Sequence, residues 1–175
     1  MIRRATIPLF CLALAVPALA QSVEKEIWEA KILRIVDGDT AVVRRTENGK
    51  QVRIRLYGIN APEMPDLQWK RQPYGRAAKD FLEKMLPFGS RVMVEAMGRD
   101  RYNRAVALIS LPDGNQVQEE LLRAGLAWVY PQHCTLRAVC DGYRALEQEA
   151  KQAERGLWAD MQPVPPWEWR KTQKH

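Results

Sequence analysis

Residues 27–45, IWEAKILRIVDGDTAVVRR, place β-branched and apolar residues on both sides of Asp37-Gly38. An Asp-Gly step between two such runs signals a tight hairpin, so the segment reads as strand, turn, strand. A third strand follows Asn48-Gly49. In KQVRIRLYGI, residues 50–59, Val52, Ile54 and Leu56 alternate with Arg53 and Arg55, the period of a sheet with one buried face. SRVMVEAMG (90–98) and RAVALISL (104–111) read as two more strands joined around RDRYN. There Asn103 tolerates the left-handed conformation that reverses a chain. Between the third and fourth strands, YGRAAKDFLEKML (74–86) sets Ala77/Ala78, Phe81/Leu82 and Met85/Leu86 at helical steps, an amphipathic helix. After the turn PDGN, QVQEELLRAG (116–125) predicts a second helix stopping at Gly125. A third covers residues 138–156, with Val139, Tyr143, Leu146, Ala150 and Ala153 on one face and Gly156 at its end. The tail MQPVPPWEWRKTQKH (161–175) is proline-rich and reads as extended.

Strands gathered this way, with helices inserted and appended, do not make the alternation of a parallel α/β sheet. The economical solution is α+β: a five-stranded OB-fold β-barrel with three α-helices. At 175 residues the chain is long enough for one domain with a real core. It starts MIRRATIPLFCLALAVPALAQS, two arginines before an apolar run from Ile7 to Leu19 that ends in Ala18-Leu19-Ala20. That is the layout of a secretory signal peptide, too short to span a bilayer comfortably. The division is therefore a signal peptide over 1–20, a folded domain over 21–162 and a Pro/Trp-rich basic tail over 163–175. A periplasmic or secreted protein is expected.

Removing residues 1–20 leaves 25 basic against 21 acidic residues, a balance of +4. Mild basicity suits an anionic partner without identifying one. Cys134 and Cys140, in HCTLRAVC, are the cysteines that remain. In an oxidising compartment such a pair most simply forms one disulfide, worth roughly 2 kcal/mol through chain entropy.

Asp39, just past the Asp37-Gly38 turn, is either an ordinary turn residue or a carboxylate offered to a hard cation. Arg55 is either a surface ion-pair member or a planar fork for a phosphate. Arg104, after RDRYN, repeats that choice. Glu63 follows Pro62 on a loop, where it can activate a water if a metal lies near. Together these types point to phosphodiester chemistry, in which charge on the phosphorane oxygens must be neutralised.

The segments RIVDGDT, RLYGINAPE, YGRAAKDFLEKML, DRYNRAVALI, LLRAGLAWVY and YRALEQEAKQAERGLWA occur in this order from about residue 27 to residue 158. The ordered set resembles the staphylococcal nuclease (thermonuclease) family. The resemblance implies an OB-fold and a Ca²⁺-dependent nuclease acting on DNA and RNA, with single strands preferred and a monomer expected. By position it makes Asp39 a calcium ligand and Ala61 the supplier of a backbone carbonyl. Asn60 stands at the second carboxylate ligand. Arg55 and Arg104 match the phosphate-contacting arginines and Glu63 the general base. Arg101 and Tyr102 match a pair near the substrate, and Trp128 and Tyr130 fall near aromatics that stack on the base. For the last two, core packing is the competing role.

Asn60 is the departure. Its oxygen can coordinate Ca²⁺ but is neutral, and a lost charge weakens affinity on the order of tenfold or more. The alternative function is a noncatalytic OB-fold module that binds single-stranded nucleic acid. A third is a structural envelope protein that uses the Pro/Trp tail to hold a partner.

Overall fold

The computed structural model describes residues 26–65 and 71–172. The leader read in residues 1–20 lies outside them. Strand β1 (Glu26–Asp37) is long enough to serve two neighbours. It pairs with β2 (Thr40–Arg45) through Ala30 to Asp37, and with β5 (Arg91–Arg99) through Glu26 to Lys31. Register shifts against β2 at Ile32/Arg34 and Ile35/Asp37 bend the strand so that it can do both. β3 (Gln51–Leu56) pairs antiparallel with β2, and β6 (Ala105–Ser110) pairs antiparallel with β5. The parallel pair β3–β6 closes the barrel in the order β1-β2-β3-β6-β5. Closure leaves no long exposed sheet edge.

The alternation seen in the sequence is the alternation of burial. Val52, Ile54 and Leu56 point inward while Gln51 and Arg53 are exposed. Ile32, Val43, Ile54, Val94 and Ile109 meet inside the barrel. Helix α1 (Gly75–Met85) closes one end with Ala78 and Leu82, and α2 (Val117–Arg123) adds Leu121 and Leu122. α3 (Arg137–Gln152) lays Cys140, Tyr143 and Ala150 against the core. Gly142, on that helix, meets no neighbour within 4 Å of its absent side chain, so its cost is confined to propensity. The Cys134–Cys140 disulfide ties the loop before α3 to its first turn.

Three features differ from the expectation. The third strand stops at Leu56, and Ile59–Asn60 forms a separate two-residue strand, β4, paired with Trp128–Val129, β7, where the sequence pattern carries the third strand through Ile59. α3 ends at Gln152 rather than at Gly156. Glu154 takes the left-handed conformation at φ 50°, and Gly156–Ala159 is a 3-10 turn. The described part of the tail is not extended throughout, and the described residues hold four α-helices rather than three. Pro166 opens a helix, α4 (Pro166–Thr172), because its locked φ and missing N–H suit a first helical position. The N–H groups of Glu168 and Trp169 both donate to the Pro165 carbonyl.

Candidate active site

The Asp37-Gly38-Asp39 turn sits beneath the loop that follows β4. Asp39 N–H donates to Asp37 Oδ1 at 3.0 Å, a side-chain turn that fixes the direction of the next carboxylate. Gly38 is required by packing. A Cβ there would lie 2.7 Å from the side chains of both Ala61 and Ala78. Asp39 is only 6% exposed. Its Oδ1 accepts from Thr40 Oγ1 at 3.2 Å, and its Oδ2 accepts the Ala61 N–H at 2.7 Å.

Arg55 lies directly across from Thr40 in the β2–β3 register. That places its guanidinium beside Asp39, with Nη2 3.0 Å from Oδ2. The same Nη2 donates to Asn60 Oδ1 at 3.1 Å, and Nη1 donates to the Leu56 carbonyl at 3.0 Å. Asn60 is 3% exposed, held by its pairing with Trp128. Its Nδ2 is buried and has no partner among the described residues. One guanidinium thus joins the two side-chain oxygens expected to receive a metal.

Those oxygens, with the Ala61 carbonyl, are hard donors of the kind Ca²⁺ takes. The set fits such an ion in kind but carries a single carboxylate, and no cluster of three or more His, Cys, Asp or Glu occurs among the described residues. Asp37 stands behind Asp39. Burial, and then the Asp39 charge, push its carboxyl up to about 7.

Glu63 comes three residues after Asn60. Burial and the nearby charge of Asp39 raise its carboxyl above the usual range, against the pull of Arg170 and Arg55. Its backbone is held by Gln72: Glu63 N–H donates to Gln72 Oε1 at 3.0 Å, and Gln72 N–H donates to the Glu63 carbonyl at 3.0 Å. Gly75 permits this approach, since a Cβ there would stand 2.4 Å from the Glu63 carbonyl oxygen. The Glu63 side chain pairs with Arg170 of α4.

Arg104 immediately precedes β6, whose Ala105 and Val106 pair in parallel with Ile54 and Arg55 of β3, so Arg104 enters the barrel next to the strand that carries Arg55. Its Nε donates to Asp100 Oδ2 at 2.6 Å and its backbone N–H to Asp100 Oδ1 at 3.0 Å. Partial burial would raise Asp100, yet these bonds hold its carboxyl below the usual range. Asn103 is left-handed at φ 60°, as expected of the turn. Tyr102 is 64% exposed, with the guanidinium carbons of Arg101 and Arg104 at 4.8 and 5.4 Å from its ring centre. This cluster is a cationic, aromatic edge open to solvent.

The expected stacking pair divides. Trp128 is 6% exposed and packs edge-on against Trp158 at 5.5 Å, so its ring serves the core. Tyr130 meets His133 edge-on at 4.6 Å and stacks face to face on Trp167 of α4 at 5.2 Å. Gln72, Trp167 and Arg170 are site neighbours that sequence reasoning missed. Arg170 and Glu63 are 107 positions apart, and no local pattern announces such a pair.

Comparison with known proteins bears on the family of the chain. Residues 53–160 match the family model described as "Staphylococcal nuclease homologue". A protein of Escherichia coli O157:H7 named as an uncharacterized endonuclease is 40% identical over 167 residues, 95% of this chain and 97% of its own. A Haemophilus influenzae protein with the same name is 32% identical over 82% of this chain and 74% of its own. A staphylococcal-like nuclease of Arabidopsis thaliana is 42% identical over 71% of this chain and 35% of its own length.

Proposed function

The chain belongs to the staphylococcal nuclease family and is a nuclease; from that premise we propose that it is an exported enzyme hydrolysing DNA and RNA at the Asp39–Arg55–Asn60–Glu63 corner. The observation that carries the reading is the placement of Arg55 Nη2 between Asp39 Oδ2 and Asn60 Oδ1 at 3.0 and 3.1 Å, with Glu63 on the adjoining loop. It supplies a fixed cation, oxygen donors and a carboxylate within one corner.

In this reading Glu63 accepts a proton from the water that attacks phosphorus. A new P–O bond forms to that water oxygen as the bond to the leaving oxygen breaks, and the leaving oxygen keeps the bonding pair and takes a proton from solvent. Arg55 and Arg104 donate to the phosphoryl oxygens, where negative charge grows. Asp39 and Asp100 hold those two guanidiniums in place before substrate arrives. Asp39, Asn60 and the Ala61 carbonyl would hold Ca²⁺, which supplies positive charge to the same oxygens. Tyr102 and Arg101 offer an exposed ring and a cation to an unpaired strand, which supports a preference for single-stranded substrate. The layout of residues 1–20 supports export to the periplasm or medium.

The test is Glu63→Gln assayed on labelled single-stranded DNA. We expect turnover to fall by about 10²–10⁴-fold, the range for a general base, with strand binding retained. An unchanged rate contradicts the assignment of Glu63.

A further inference from the structure

The carboxylate of Glu63 lies on a loop between Pro62 and Pro65, outside any helix or strand. A glutamate in that setting, left alone, samples several rotamers. Here it does not stand alone. Arg170 Nη1 donates to Glu63 Oε1, and the pair is largely shielded, with side-chain exposures of 28% and 21%. Arg170 is itself fixed, because α4 is pinned at several points. Gln72 Nε2 donates to the Val164 carbonyl at 2.5 Å, Pro166 is buried, and Trp167 lies flat on Tyr130 with an interplanar angle of 3°. Gln72 is the common member. It bonds both backbone groups of Glu63 and anchors the segment that delivers Arg170.

We propose that Arg170 is a positioning residue for Glu63, so that α4 is a wall of the active site and not an appended tail; the inference rests on the reading of Glu63 as the base. A charge-assisted hydrogen bond to Oε1 fixes the carboxylate. Among the described residues no other side chain bonds that carboxylate, which leaves Oε2 as the oxygen that takes the proton. Arg170 acts through Glu63 alone. Its removal lets the carboxylate leave its working position without altering how the strand binds.

The experiment is a double-mutant cycle in the full mature chain, with Glu63→Gln, Arg170→Ala, the pair together, and Arg170→Lys. Single-stranded DNA hydrolysis and binding are measured for each, and folding is checked by circular dichroism. Arg170→Ala should lower kcat by about 10- to 100-fold, the scale of a misplaced reacting group, with KM nearly unchanged. Arg170→Lys should recover part of the loss, because one ammonium hydrogen bond suffices at a single oxygen. In the Glu63→Gln background, Arg170→Ala should have no further effect. Should the alanine variant unfold, Arg170→Met keeps the apolar stem and takes its place.

A normal kcat for Arg170→Ala beside an inactive Glu63→Gln overturns this inference and leaves the base assignment standing. A higher kcat overturns it in favour of an inhibitory strap. An equal loss in the Glu63→Gln background overturns it in favour of direct contact with substrate. Full activity of Glu63→Gln overturns instead the reading on which the inference rests, and the inference with it.

Discussion

The two arginines assigned to phosphate occupy unlike surroundings. Arg55 is built into the barrel, bonded to a buried aspartate, a buried asparagine and a backbone carbonyl. Arg104 stands at a turn, bonded to Asp100 and facing the exposed Tyr102 ring. In the proposed reading, one side chain of the corner serves both the fold and the chemistry. At the turn the two roles separate. On that reading a kinetic defect at Arg104 reports on substrate, whereas one at Arg55 mixes chemistry with the integrity of the site.

The largest effect expected of these two arginines sharpens that contrast. Arg104→Ala and Arg55→Ala should each cut kcat by about 10²–10³-fold, as when one electrostatic donor is lost, measured at saturating single-stranded DNA. Their stabilities should diverge. Arg55→Ala strands Asp39, 9% exposed in its side chain, and should cost roughly 3 kcal/mol in denaturant unfolding. Arg104→Ala, whose pair is about one-fifth exposed, should cost roughly 1 kcal/mol. Equal stabilities would break the distinction between corner and turn.

A smaller effect is expected at Asn60. Asn60→Asp restores a charged donor beside Asp39, and the Ca²⁺ concentration for half-maximal activity should fall roughly tenfold. An unmoved midpoint would place the ion elsewhere. An effect of similar size belongs to the turn: Tyr102→Ala should weaken single-strand binding by about 1–2 kcal/mol, the worth of one stacked base, with kcat little changed. Trp128 provides the control, because its ring is buried against Trp158 and its loss should appear in stability.

Part of the corner was legible locally, whereas Asn60 and Ala61 entered only through the family resemblance. Asp37-Gly38-Asp39 carries its own turn chemistry, and the alternation of Val52, Ile54 and Leu56 sets which way Arg55 faces. The barrel and its first three helices follow from period and punctuation in the same way. Strand β4 was not separated from the third strand because two residues have no period of their own, and its partner β7 is remote in sequence. The helix of the tail was hidden by its prolines, which suit an extended segment and a helix start equally. Tertiary contacts decided the case: Gln72 to Val164, Trp167 on Tyr130 and Arg170 with Glu63. None of these pairs leaves a local trace, so the tail's place at the site emerges only in three dimensions.

The most direct test of the corner as a working catalytic centre is hydrolysis of labelled single-stranded DNA by residues 21–175 across a Ca²⁺ titration that ends in chelator. Cleavage that saturates with Ca²⁺ and stops in chelator is the predicted result. Strand binding without cleavage at millimolar Ca²⁺, from a folded chain, would contradict it.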